Sequence, residues 1–195
     1  MTEWVTLQYG SAERKAFAMH FRAATEADIP LLQDLARAIW REYYPSIIPP
    51  EQIEFMLEWM YSEKQIRKEL GDGTVWEVLE LPKGQAIGFL SLQLESDRRV
   101  KLNKLYLLPQ FHGKGLANVA LERVFEHVRS LGGNVVWMQV NKRNYRAVAA
   151  YRKAGFHIAR EAVFDIGHGF VMDDYLMEKT VPPEGAAKGS RVSDT

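Results

Sequence analysis

Residues Leu107 to Val124, LLPQFHGKGLANVALERV, carry an apolar extended run into a helical stripe through two glycines one residue apart. This junction constrains the fold most, because a strand that leads into a helix must be followed by a segment that returns to the sheet. That return is present. Leu116, Ala120, Val124, Val128 and Leu131 recur at helical spacing, and NVVWMQV follows with strand composition. Strand, helix and strand make a crossover, so NVVWMQV is predicted to run parallel to the strand ending at Leu108, with a site at the carboxyl ends of both.

Upstream of the crossover the hydrophobic period is two. TVWEVLEL, QAIGFLSLQLE and RRVKLNKLYLL read as three successive antiparallel strands, joined by turns at PKG and SDR. In the third strand Val100 and Leu102 share one parity and Leu105 and Leu107 the other, so a β-bulge near Asn103 and Lys104 would return both pairs to one face. Earlier still the period is helical. Thr25 and Asp28 have capping-box spacing, Pro30 fits a first turn, and Ile29, Leu32, Leu35, Ala36, Ile39 and Tyr43 make one buried face that should end before Pro45. A second helical run, with Ile53, Met56, Leu57 and Met60 on one side, is expected to continue to GDG. After NVVWMQV, NYRAVAAYRKAGF reads as a short helix closed by Gly155, and two strands follow, from Phe156 and from about Val171. The expected layout is an N-terminal arm over 1–18, one domain over 19–181 and a mobile tail over 182–195.

Composition excludes several functions. Lysines and arginines number 25 and so do aspartates and glutamates, so the chain offers no overall charge for a nucleic-acid backbone or an anionic membrane. With no cysteine there is no thiol nucleophile and no thiolate metal site, and the five histidines are single, without metal-ligand spacing. The first residues contain Glu3 and no unbroken apolar run, and no segment is long and apolar enough to span a bilayer, so a soluble cytoplasmic protein is expected.

The glycine turn favours an anion. Glycines let backbone come close to a ligand, and the free N–H groups of the turn and of the helix's first turn point toward negative charge. A pyrophosphate suits that arrangement, with His112 and Lys114 adding positive charge at the rim. No G-x-x-x-x-G-K-[ST] string occurs. A dinucleotide fingerprint fails at its third position, Asn118, and WMQVN lacks the ribose-binding acid. What remains is Gln110, Gly113 and Gly115 in Q-x-x-G-x-G, which resembles the coenzyme A pyrophosphate loop of the GNAT superfamily of N-acetyltransferases. Asn144, Ala147, Tyr151, Gly155 and Phe156 are similar to that superfamily's second signature, N-x-x-A-x-x-x-Y-x-x-x-G-F.

The resemblance, which spans about Met19 to Val181, implies an α/β (α+β) acyl-CoA N-acyltransferase fold. Its sheet would be mixed, mostly antiparallel and twisted, with helices on both faces and a bulged strand before the pyrophosphate loop. It also implies acetyl-CoA as co-substrate, held by Leu105, Tyr106 and Leu107 along the bulged strand and by Gln110, His112, Gly113, Lys114, Gly115, Leu116 and Ala117 at the turn, with Asn144 on the cofactor arm and Tyr151 giving a proton to the departing thiolate. Acetyl would pass directly to a primary amine in a ternary complex, with no metal. Where many relatives carry a glutamate on the bulged strand this chain has Asn103, which takes no proton at neutral pH, so a water chain or a carboxylate such as Glu42 or Glu77 would have to serve as base. Trp40, Tyr43 and Tyr44 are placed to wall an acceptor pocket between the first helices and the closing strands. The ending loosely resembles that of bacterial polyamine N-acetyltransferases, and Asp165, Asp173 and Asp174 are candidates to attract a cationic amine. A small amine is therefore the leading acceptor, with a protein N-terminus or lysine, or a non-catalytic coenzyme A sensor, as alternatives. A homodimer is the family habit.

Overall fold

Thr25 and Asp28 start the first helix as their spacing implies: the Thr25 backbone N–H and hydroxyl both donate to Asp28 Oδ2, at 2.8 and 2.9 Å. Arg22 grips the same carboxylate from the preceding strand, at 2.9 and 2.8 Å. The computed structural model describes residues 5–6 and 18–183, so most of the arm and of the tail expected from the sequence lie outside the described residues, while Val5 and Thr6 of the arm pair with Met19 and Ala18.

The elements are β1 (Val5–Thr6), β2 (Ala18–Ala23), α1 (Ile29–Tyr43), α2 (Pro50–Tyr61), α3 (Glu63–Gly71), β3 (Val75–Leu81), β4 (Gln85–Leu94), β5 (Arg99–Leu107), α4 (Leu116–Ser130), β6 (Val135–Asn141), α5 (Tyr145–Lys153), β7 (His157–Gly167) and β8 (Phe170–Thr180). One difference from the sequence reading stands out. The run expected to continue to GDG is two helices, broken at Ser62, which leaves helical geometry (φ −58°, ψ 148°) and caps α3 by accepting the Gln65 N–H. The Ser62 and Gln65 pair is itself an N-terminal cap signal inside an otherwise continuous apolar pattern.

The sheet order is β1-β2-β3-β4-β5-β6-β8-β7, antiparallel throughout except for the parallel pair β5 and β6. The crossover through α4 was legible, and so was the bulge: Ser91 faces Lys104 while Leu92 faces Leu102, which leaves Asn103 as the extra residue of β5. Its consequence is a change of face. Val100, Leu102, Leu105 and Leu107 all reach the core under α4, while Tyr106 turns to the opposite core under α1 and α2.

That bulge also opens the sheet. β5 and β6 pair only from Arg99–Lys101 to Val135–Trp137, and beyond Lys101 the β6-facing backbone of β5 has no strand partner. The strands splay into a split whose lips are the carboxyl halves of β5 and β6. The glycine turn follows one lip and α5 follows the other.

Candidate active site

At the end of β5, Gly113 and Gly115 adopt φ of 76° and 82°, left-handed values that a side chain would strain, and Gly115 caps α4. A Cβ on either would point into open space. Among the described residues the backbone N–H groups of Gly113, Gly115, Leu116 and Ala117 donate to no carbonyl. Four free donors at the positive end of a fifteen-residue helix are what a pyrophosphate needs, so the chain's own backbone fits that part of coenzyme A. Gln110 is exposed at the rim. Lys114 Nζ lies 5.0 Å above the Phe111 ring. The His112 ring anchors the turn instead of hanging free at its rim, with Nε2 2.8 Å from the Leu107 carbonyl.

On the other lip, Asn144 is 5% exposed and caps α5 through Oδ1, which accepts the Ala147 N–H at 3.2 Å. The same oxygen accepts the Tyr43 hydroxyl at 2.8 Å. Both acceptor positions of Oδ1 are then filled, so the group left for a cofactor carbonyl is the Nδ2 amide, a donor. Tyr43 also sets its ring edge-on to His112, centroids 5.4 Å apart. One tyrosine from α1 therefore ties the two lips of the split together.

Tyr151, on α5, packs edge-on against Phe156 and has no hydrogen-bond partner among the described residues. Burial, followed by the neighbouring Tyr43, pushes its phenol up to about 12, so it holds its proton at neutral pH. A proton donor must arrive protonated.

The expected aromatic wall divides. Trp40 is 3% exposed and belongs to the core under α1 and α2, stacked on Tyr44 with centroids 4.3 Å apart. Tyr43 and Tyr44 are half-buried. Within that cluster a cation is already seated: Lys104 Nζ lies 4.6 Å over Trp76 and 2.9 Å from Glu69 Oε2.

The carboxylates considered as base also separate. Glu42 is exposed on α1. Glu77 is buried on the α4 face, with Arg123 Nη2 at 2.6 Å and His127 Nε2 at 3.0 Å from Oε1, and Arg123 Nε at 3.1 Å from Oε2. Of the three acids near the closing strands, Asp165 accepts the Gly167 N–H at 2.8 Å and shapes the β7–β8 turn, and Asp173 binds Lys142 at 2.6 Å. Asp174 alone is both buried and without a hydrogen bond or ion pair among the described residues, a fact its sequence neighbours do not disclose. Also among the described residues, no group of three or more His, Cys, Asp or Glu is placed to hold a metal ion, and no helix is long and apolar enough to cross a membrane.

Comparison with known proteins agrees with this geometry. Residues 19–157 match the profile of the acetyltransferase (GNAT) domain family. An uncharacterised N-acetyltransferase of Mycobacterium tuberculosis is 32% identical over 133 residues, 68% of this chain and 85% of that one. The N-acetyltransferase PaiA of Thermoplasma acidophilum, solved with coenzyme A, superposes with a TM-score of 0.71 at 22% identity, covering 84% of this chain and 99% of that one. The spermidine N-acetyltransferase of Vibrio cholerae, solved with coenzyme A and spermine, gives 0.62 at 20% identity, over 84% and 95%. At these identities the solved structures establish a shared fold.

Proposed function

Because this chain belongs to the GNAT acetyltransferase family and is an N-acetyltransferase, we propose that it moves acetyl from acetyl-CoA directly to the primary amine of a small molecule such as a polyamine. The observation that carries this reading is the split between β5 and β6, which ends on the free N–H groups of Gly113, Gly115, Leu116 and Ala117. It offers an extended thioester a backbone edge along Leu105, Tyr106 and Leu107, and a donor cradle at its charged end. A preorganised N–H on that edge stabilises the thioester oxygen as charge develops there. Nδ2 of Asn144 donates to the arm from the opposite lip, and the Tyr151 hydroxyl protonates the leaving thiolate. No acyl-enzyme is required, since holding amine and thioester together supplies the main advantage.

A small cationic acceptor is supported by the fold shared with the Vibrio cholerae enzyme, whose structure contains spermine, and by the half-buried rings of Tyr43 and Tyr44 beside the split. The test is thiol release from acetyl-CoA against spermidine, small monoamines, amino acids and short peptides, with coenzyme A binding followed by calorimetry in the same preparation. Release with polyamines or monoamines is expected. Release only with peptides would replace the acceptor class, and tight binding with no release from any would replace the enzyme by a coenzyme A sensor.

A further inference from the structure

Asp174 is 2% exposed, near the middle of β8, and its side chain has neither a hydrogen bond nor an ion pair among the described residues. The cation next in sequence space does not reach it: Lys142 Nζ binds Asp173 at 2.6 Å and Glu161 at 2.9 Å. A buried carboxylate without a partner is costly, and folds rarely keep one that does nothing.

Its position gives the cost a use. Asp174 stands opposite Asn141, the last residue of β6, so its Cα lies about 5 Å from the lip of the split. Opposed residues share a face, and this face is the one away from the α4 core, which Val140 and Tyr175 enter. Two residues along β8 on the same side, Met172 packs against the aromatic cluster under α1 and α2. The Asn141 carbonyl in turn accepts the Asn144 N–H at 2.9 Å, and Asn144 holds Tyr43. Asp174 thus lies beside the lip of the split, on the sheet face that carries the aromatic cluster.

We infer that the Asp174 carboxylate receives the ammonium group of the acceptor and removes the proton that blocks its lone pair. This inference rests on the acceptor reading above. The free amine then attacks the thioester carbon; a C–N bond forms, and the C–S bond breaks on collapse of the tetrahedral intermediate. Asp174 passes its proton to solvent. The second N–H proton, shed during collapse, replaces the one Tyr151 gives to sulfur, so the products are amide, thiol and one released proton. Burial first and the neighbouring Asp173 second push the Asp174 carboxyl up to about 6, with Lys142 opposing. The group is still ionised at neutral pH and is a stronger base than an exposed aspartate.

The experiment compares the parent, Asp174→Asn and Asp173→Asn with the parent's best amine acceptor, alongside coenzyme A affinity and melting temperature. Asp174→Asn is expected to lose about 100-fold or more in kcat, to keep the parent's coenzyme A affinity, and to melt no lower than the parent. Asp173→Asn is expected to stay within about threefold in kcat. If Asp174→Asn turned over like the parent, changed only KM, or melted well below it, the assignment would fall while the acceptor reading stood. If the parent itself released no thiol with any amine, the acceptor reading would fall and take this assignment with it.

Discussion

Glu77 and Asp174 are two carboxylates with nearly the same burial, 3% and 2% exposed, on opposite faces of one sheet. Around Glu77 the chain has assembled the Arg123 guanidinium and the His127 ring. Burial alone would raise that carboxyl, but His127 and then Arg123 outweigh it and hold it below the usual carboxylate range. Around Asp174 nothing comparable was assembled: burial first and Asp173 second raise it, and Lys142 opposes them. Lys104 belongs with Glu77: it too is buried, and Glu69 partly offsets the lowering that burial imposes on it. A buried charge that the fold has paired holds elements together, here α4 to β3 and α3 to β5. One left unpaired beside the split costs stability and is free for a ligand.

The comparison can be broken at its paired side with the largest effect. Glu77→Gln strands Arg123 and His127 against a neutral side chain, and is expected to cost about 3 kcal/mol in denaturant unfolding while coenzyme A affinity is unchanged. Because the native Glu77 carboxyl is depressed, its contribution is present above the unfolded value and lost as pH falls below it. The defect of the variant therefore shrinks on acidification. Loss of turnover at full stability would place Glu77 in the chemistry and defeat the contrast.

Tyr151 sharpens the unpaired side. Its hydroxyl, like Asp174, has no partner among the described residues, and Tyr151→Phe is expected to lower kcat about 100-fold, roughly 3 kcal/mol of barrier, with coenzyme A affinity retained in calorimetry. Next in size is the stability of Asp174→Asn. A carboxyl raised in the fold from 3.8 to about 6 favours folding below its unfolded value and loses that advantage as pH rises through its native value. The variant should gain about 1–3 kcal/mol at pH 8 and nothing near pH 3. The smallest effect is expected from Tyr43→Phe, which removes the bond to Asn144 Oδ1. About 1 kcal/mol should appear as a several-fold weaker coenzyme A affinity, because the Asn144 amide is then less firmly held.

Much of the path to the site was legible in the sequence, for physical reasons. The parity break between Leu102 and Leu105 signalled the bulge because a one-residue slip moves every later side chain to the other face. The glycines signalled the turn because φ near 80° excludes most other residues. The Ser62 break was hidden by apolar residues that continue helically on both sides of it. What sequence did not disclose is which acid is free. Asp165, Asp173 and Asp174 look alike as letters, and only the fold brings Lys142 to one, a turn N–H to another and nothing to the third. The same holds for Glu77, whose partners lie 46 and 50 residues away on α4, and for Tyr43, which meets Asn144 across 101 residues.

The most direct test of the account is the unfolding free energy of Asp174→Asn at pH 8, measured beside its turnover of the best amine acceptor. Asp174→Asn is expected to be more stable than the parent and nearly inactive, the mirror image of Glu77→Gln. A variant less stable than the parent, or one that still acetylates at the parent's rate, would contradict it.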